Sequence, residues 1–384
     1  MSPKRNILLL VDRFDIGGAE GQILLLARLL HESGRYRVHL ACLRREGVLL
    51  SKAESMSAGE IPEFPLTSFY DRNMATQLRR FASFLREREV EVVHTEGFYT
   101  NVFGITGAAL ARVPARVAFR GETAGWRDAK QDFLERCAYR LAHVIHANSE
   151  AVKRYLFERG VSPRRIAVIY NGVDVPFYAS PSPGLVRSEL LAGLGLPADG
   201  ARRFVTLVAN MRHEVKDQPM FLRAARRVRE SVPESAFILA GEGERVESLR
   251  GLAAELGLGQ SVFFTGRCER VPDLLAVSDV CVLSSKAEGF SNSILEYMAA
   301  ARPVVVTDVG GAREAVVEGE TGYIVPSGDY EEMAARIASL LLDPQRARRM
   351  GECGQEVVRE KFSAEAQFRN THALYERLLG GDTL

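Results

Sequence analysis

The 384-residue chain lacks the marks of several large protein classes. Its five cysteines, Cys42, Cys137, Cys268, Cys281 and Cys353, include no CxxC pair. An odd number at wide spacing speaks against a disulfide framework or a zinc site, and favours a reducing, cytoplasmic compartment. Charge of one sign is not in excess, since 50 Lys and Arg stand against 49 Asp and Glu, for a net charge of +1. That balance disfavours a broadly basic nucleic-acid binder, and no nucleic-acid partner is expected. Long apolar runs are missing too. The first, residues 7–11, falls short of the roughly 7–15 residues of a signal-peptide core, and none approaches the ~20 of a membrane span. A soluble, cytoplasmic protein is expected, with peripheral contact at the inner face of a membrane left open. Neither low-complexity segments nor short-period repeats are present.

What is present is alternation. Short β-rich apolar runs occur at 6–11, 37–42, 91–94, 116–119, 143–147 and 166–169, with helical patterns at 18–30, 73–88, 102–111, 128–141 and 150–159 between them. A second series follows at 204–209, 236–240, 262–265, 280–283, 303–307 and 322–325. Strands alternating with helices predict parallel sheets with crossover helices, an α/β fold. Between the series, Pro176, Pro181, Pro183 and Pro197 interrupt a stretch without strand pattern. The expected organisation is a first doubly wound domain over 1–171, a linker over 172–200 with one short helix near 185–192, and a second domain over 201–361. A last helix over 362–384 is expected to pack back on the first domain, and the two domains to face each other across a cleft.

Three constellations carry chemistry. Gly17-Gly18-Ala19-Glu20 follows the first strand and opens a helix, so backbone can approach a ligand closely and helix N–H groups can meet an anion or hydroxyl. The spacing is not GxGxxG, and the second strand ends Cys42-Leu43-Arg44-Arg45 without an acidic ribose ligand, so a dinucleotide site is disfavoured. Arg212 and Lys216 lie on the loop after the second domain's first strand, at the carboxyl end where open α/β sheets bind ligands; two fixed cations there suit a diphosphate. Finally, Glu288-Gly289-Phe290-Ser291-Asn292-Ser293-Ile294-Leu295-Glu296 leads from a strand into a helix. Its carboxylates sit on the loop and one turn inside the helix, and the amides of Gly289, Phe290, Ser291 and Asn292 can meet phosphate oxygens at the positive end of the dipole.

In this order along one chain, and together with Ala147-Asn148-Ser149-Glu150, Tyr170-Asn171-Gly172-Val173-Asp174, Gly241-Glu242-Gly243 and Gly310-Gly311-Ala312-Arg313-Glu314, these segments resemble the retaining glycosyltransferases of family 4. The resemblance covers nearly the whole chain and implies the GT-B architecture, two facing Rossmann-like domains. It implies a nucleotide-diphosphate sugar, UDP- or GDP-linked, as donor substrate. Arg212 and Lys216 would bind the diphosphate, Glu288 the transferred sugar with help from Phe290 and Ser291, and Glu296 the ribose. Gly17 and Gly18 would meet the donor from the first domain, and the base would sit near Gly266-Arg267-Cys268. Transfer with retention by front-face attack needs no protein nucleophile. No Asp-x-Asp is present to hold a metal on the diphosphate, so the two cations take that part, and neither metal nor cofactor is expected.

One departure concerns the acceptor side. Many members carry a histidine where this chain reads Phe119-Arg120-Gly121-Glu122, so Arg120 and Glu122 become candidates for acceptor contact, with His94 near the same region. His143 and His146, three apart on a strand, face opposite sides and do not suit a shared metal. The basic amphipathic segment 79–86 is either a solvated helix covering the sheet or a contact with anionic lipid, as a lipid-linked acceptor would require. Polysaccharide, lipid-linked and small-molecule acceptors stay open, as do the sugar and the oligomeric state. A nucleotide-sugar epimerase and a non-catalytic sugar-nucleotide sensor are the competing readings. The first would consume donor without acceptor, and the second would be expected to have lost Arg212, Lys216 or Glu288.

Overall fold

Among the described residues, twelve short strands build two six-stranded sheets in which every strand pairing is parallel. The computed structural model describes residues 4–15, 17–123, 128–198 and 202–380. The chain divides into two units, Met1–Gly172 with Ala364–Leu384, and Val173–Ser363. Chain ends 1–3 and 381–384 and positions 199 and 200 of the expected linker lie outside the described residues.

The first unit holds β1 (Arg5–Val11), β2 (Tyr36–Cys42), β3 (Val92–Thr95), β4 (Ala115–Arg120), β5 (Val144–Ala147) and β6 (Ile166–Val168), in the order β2-β1-β3-β4-β5-β6. Helices cover both faces of such a sheet, which is why β1 is an unbroken apolar run, buried from Ile7 to Val11. Chain order reverses between β1 and β3, and the carboxyl ends at such a reversal leave a crevice for ligand. The helix Arg72–Glu87 spends its apolar face, Met74, Phe81 and Leu85, on the core. Arg72, Arg79 and Arg86 face solvent, so this helix is a charged cover on the sheet. The helix Ala364–Gly380 belongs to this unit: Leu374 and Tyr375 sit in the core made by β1, β2 and the helix Gly18–Glu32.

The second unit holds β7 (Arg203–Val208), β8 (Ser235–Ala240), β9 (Val262–Gly266), β10 (Val280–Leu283), β11 (Val304–Thr307) and β12 (Gly322–Val325), in the order β12-β11-β10-β7-β8-β9. Its reversal falls between β7 and β10, whose partners are Val205 with Val280 and Thr206 with Cys281. Alternate residues feed the two faces: Val205, Leu207, Phe237 and Leu239 join one core, and Phe204, Ala236 and Ile238 the other.

Within 172–200 the short helix expected near 185–192 is found at Arg187–Gly193, a further helix, Val175–Ala179, precedes it, and Leu190, Leu191 and Leu196 are buried against Phe204, Leu274 and Val277. Each such leucine contributes about 1.5–3 kcal/mol of burial. Helices of five and seven residues are too short to persist alone, so their local pattern reads as linker although the sheet's second face depends on them.

Candidate active site

The β7–β10 reversal of the second unit brings Lys216 and Glu288 together, with the helix that carries Glu296 starting beside them. Beyond β7 the chain runs through Arg212 to Lys216, and the loop beyond β10 holds it in place. Ser284 Oγ donates to the Lys216 carbonyl at 2.8 Å and the Lys286 amide to the Val215 carbonyl at 2.7 Å. Lys216 Nζ then donates to Glu288 Oε1 at 2.7 Å, and Ser285 Oγ donates to the same oxygen at 2.7 Å. The Lys216 and Glu288 side chains are 22% and 13% exposed, so the pair is sheltered yet reachable. Ser284 and Ser285, which follow an apolar strand, are the sequence signal for this support.

Backbone constraints fix the pair further. Asp217, next to Lys216, has φ +43°, and its side chain caps the helix Gln218–Ser231 by accepting from the Met220 amide at 3.3 Å. Left-handed backbone at a non-glycine residue costs on the order of 1 kcal/mol, which the cap offsets. Gly310 has φ +54°, and a Cβ there would lie 2.2 Å from the Glu288 carbonyl oxygen, so the Gly310–Gly311 turn backs the Glu288 loop, with the Gly311 amide donating to the Gly289 carbonyl at 2.8 Å. On the other side Gly243 closes on the loop that carries Arg212, where a Cβ would lie 2.2 Å from the Met211 carbonyl carbon.

The helix Asn292–Ala299 starts over this junction. Ser293 Oγ donates to the Val208 carbonyl at 3.2 Å, and the Val208 amide donates to the Tyr297 hydroxyl at 2.7 Å. Ser291, the N-cap residue, makes no side-chain cap bond, and Phe290 is buried against Phe362 with ring centroids 5.3 Å apart. One turn in, burial raises the Glu296 carboxyl, and a hydrogen bond from Tyr178 lowers it. Tyr178 lies on the helix Val175–Ala179, and burial and the Glu296 charge raise its phenol in turn. Sequence reasoning missed Tyr178 because it fell in the presumed linker. Arg212 is exposed on the β7 loop. Arg267 stands exposed after β9, the outer strand, two strands from the junction.

In the first unit, Gly17 is the N-cap residue of the helix Gly18–Glu32, and both glycines are exposed. At the β1–β3 reversal Glu96, not singled out from sequence, is 7% exposed and accepts from the Asp12 amide at 3.1 Å. Burial, with the Glu20 and Asp12 charges, pushes its carboxyl well above the usual range.

Two acceptor-side candidates are buried and hydrogen-bonded within the first unit. Arg120 is buried, with Nη1 on Glu135 Oε2 at 2.9 Å, Nη2 donating to the Tyr155 hydroxyl at 3.1 Å and Nε to the Glu122 carbonyl at 3.0 Å. Its charge ties β4 to the helices Ala129–Leu141 and Glu150–Glu158. His94 is also buried, and both ring nitrogens are used, Nδ1 with the Tyr375 hydroxyl at 2.7 Å and Nε2 with His146 Nδ1 at 3.1 Å. Glu122 is exposed as a residue, and burial of its carboxyl group raises it against the pull of Arg120. Among the described residues no group of three or more His, Cys, Asp or Glu is placed to hold a metal, and no helix is long and apolar enough to cross a membrane.

Comparison with known proteins identifies the family. Residues 16–176 match the sequence model described as Glycosyltransferase Family 4, and residues 196–357 the one described as Glycosyl transferases group 1. The chain belongs to the family-4 type of glycosyltransferases, with the two-domain GT-B fold. It is 28% identical over 255 residues to N-acetyl-alpha-D-glucosaminyl L-malate synthase of Bacillus anthracis, covering 66% of this chain and 65% of that protein. It is 32% identical over 219 residues to the GDP-mannose-dependent alpha-(1-6)-phosphatidylinositol monomannoside mannosyltransferase of Mycolicibacterium smegmatis, 55% of each. Matches to four such curated relatives span 44% to 65% of their lengths. Among solved structures, Anabaena HepE in complex with UDP superposes with a TM-score of 0.84 at 22% identity, over 96% of this chain and 99% of that one.

Proposed function

We propose that this chain transfers a sugar, with retention, from a nucleotide-diphosphate donor to a hydroxyl of a glycan, lipid-linked or small-molecule acceptor. The observation that carries the reading is the Lys216–Glu288 contact across the β7–β10 reversal, beside the start of the helix Asn292–Ala299. A cation, a carboxylate and a positive helix end at one crevice suit a sugar diphosphate. HepE has been solved with UDP and with UDP-glucose, which favours a uridine donor.

Arg212 and Lys216 bind the diphosphate and stabilise the negative charge that grows as the bond from the sugar's anomeric carbon to the phosphate oxygen breaks. The acceptor oxygen bonds to that carbon on the same face, and its proton passes to the leaving diphosphate. Glu288 holds hydroxyls of the transferred sugar, Gly289, Phe290, Ser291 and Asn292 line the phosphates, Glu296 takes the ribose, and Arg267 lies toward the base. In the first unit Gly17 and Gly18 offer backbone to a ligand at the start of the helix Gly18–Glu32. The two fixed cations stand in for a divalent metal, so turnover persists in chelator. Localisation is cytoplasmic, and the arginine face of Arg72–Glu87 is the surface offered to an anionic membrane when the acceptor is lipid-linked.

The test is a thermal-shift titration with UDP, GDP, ADP, TDP and NAD. A ligand at 100 times its Kd stabilises by about 2.7 kcal/mol, well within resolution. A selective rise with one of the four nucleoside diphosphates is expected. A rise with NAD alone, or with none of the five, overturns the reading.

A further inference from the structure

We infer that Ser285 is a positioning residue of the donor-sugar subsite, whose hydroxyl keeps the Glu288 carboxylate aimed when the donor diphosphate draws on Lys216. The inference rests on the donor-site reading above and deepens it by one residue. Ser285 Oγ donates to Glu288 Oε1 at 2.7 Å, and Lys216 Nζ donates to the same oxygen at 2.7 Å. The two donors differ in their access to a ligand. Ser285 is fully buried, whereas the Lys216 side chain is 22% exposed. The serine's own backbone is held, since its carbonyl accepts from Thr307 Oγ1 on β11 at 2.7 Å and Thr307 is fully buried too. Its neighbours tie the loop to the lysine's segment, Ser284 Oγ through the Lys216 carbonyl at 2.8 Å and the Lys286 amide through the Val215 carbonyl at 2.7 Å.

Charge gives the doubled contact a purpose. A lysine ammonium carries three N–H donors on a flexible stem, and a diphosphate offers it more negative charge than one carboxylate does. When the diphosphate binds, Lys216 divides its donors between the two anions. A carboxylate held by the lysine alone would therefore loosen as the sugar arrives. The Ser285 hydroxyl is neutral and fully buried, so the diphosphate neither attracts nor reaches it, and its bond to Oε1 persists. Such an O–H bond to a carboxylate is short and roughly twice as strong as a neutral one. With Oε1 fixed, the carboxyl group keeps its direction and the sugar hydroxyls meet a preorganised acceptor. Alanine at this position would leave the backbone bonds in place and remove that hold alone.

The experiment compares wild type and Ser285→Ala by calorimetry, with UDP against UDP-glucose and UDP-N-acetylglucosamine, and GDP against GDP-mannose. The quantity read is the affinity of a sugar nucleotide relative to its parent diphosphate, for the pair that wild type binds most tightly. In Ser285→Ala that ratio should fall roughly tenfold, the scale of one hydrogen bond to a charged group, while affinity for the diphosphate alone stays within about twofold. A serine that merely braces the loop would weaken both ligands alike. Equal weakening, or an unchanged ratio in a variant that melts normally, overturns the inference while leaving the donor site intact. In a Glu288→Ala background, Ser285→Ala should change the ratio no further, and a further fall overturns the inference because Ser285 would then act on another group. Should Ser285→Ala melt early, Ser285→Cys, a weak donor of similar size, supplies the same comparison. Its ratio must fall with diphosphate affinity unchanged, and a wild-type ratio overturns the inference. Wild type that binds no nucleoside diphosphate overturns the donor-site reading and this inference together.

Discussion

Lys216 and Glu288 lie 72 residues apart in sequence, yet their side chains meet at 2.7 Å because the loops after β7 and β10 leave the sheet side by side. With Ser285 on the same carboxylate oxygen, the lysine is positioned before any ligand arrives. Positioned charge is worth more than mobile charge, since no reorganisation is needed when the transition state forms.

Lys216→Ala is accordingly expected to cut turnover by roughly 10²–10³, with a smaller change in donor KM. Steady-state kinetics with sugar donors carrying the nucleotide base picked out by the thermal-shift screen checks this. Turnover within twofold of wild type removes Lys216 from the chemistry.

Gly310→Ala tests the support behind Glu288. An added Cβ cannot coexist with the Glu288 carbonyl at 2.2 Å, so the loop must move. A displacement of about 1 Å costs on the order of 10² in rate, more than the loss in stability accounts for. Rate and melting temperature measured on one preparation separate the two effects. A variant of full activity would show that the Glu288 loop tolerates the shift.

Arg120→Met decides between a structural and an acceptor-binding arginine. The variant leaves Glu135 buried without its cation, which costs about 3–5 kcal/mol, and Arg120→Met/Glu135→Leu should recover much of that. Chemical denaturation measures both. Normal stability with a raised acceptor KM would restore Arg120 to the acceptor site.

Acid should destabilise the first unit through its histidine pair. His146 Nε2 donates to the Ile169 carbonyl at 2.8 Å, so Nδ1 accepts from His94 Nε2, and His94 Nδ1 accepts from the Tyr375 hydroxyl. This chain needs both rings neutral. Burial holds His146 down to about 4 and His94 well below its ordinary 6.5. Unfolded, both take up a proton near 6.5, so the unfolded state binds more protons below that value. The pair's contribution is complete above pH 6.5 and falls as pH drops toward 4. The melting temperature between pH 7 and 5 should decline more steeply for wild type than for His94→Gln/His146→Gln. Parallel slopes would rule the pair out.

All twelve strands were legible because a strand buried on both faces is a short apolar run, and each run is bounded by helical periodicity. Residues of the glycine-bearing and carboxylate-bearing loops were legible as well, since they are contiguous in the chain. The burial of Leu190, Leu191 and Leu196 was not, because partners such as Leu274 and Val277 lie over 70 residues away in the chain.

His94 and Arg120 mark the same boundary from the other side. From sequence each is a polar residue at a strand's carboxyl end, the usual place for a ligand contact. Only the fold places Tyr375, His146 and Glu135 against them and uses up their hydrogen bonds. Sequence by itself determined the parallel α/β framework and the order of its loops, because hydrophobic period and glycine placement act locally. Tertiary structure alone decided which polar groups remain for a ligand, because hydrogen-bond partners and burial are properties of residues distant in the chain.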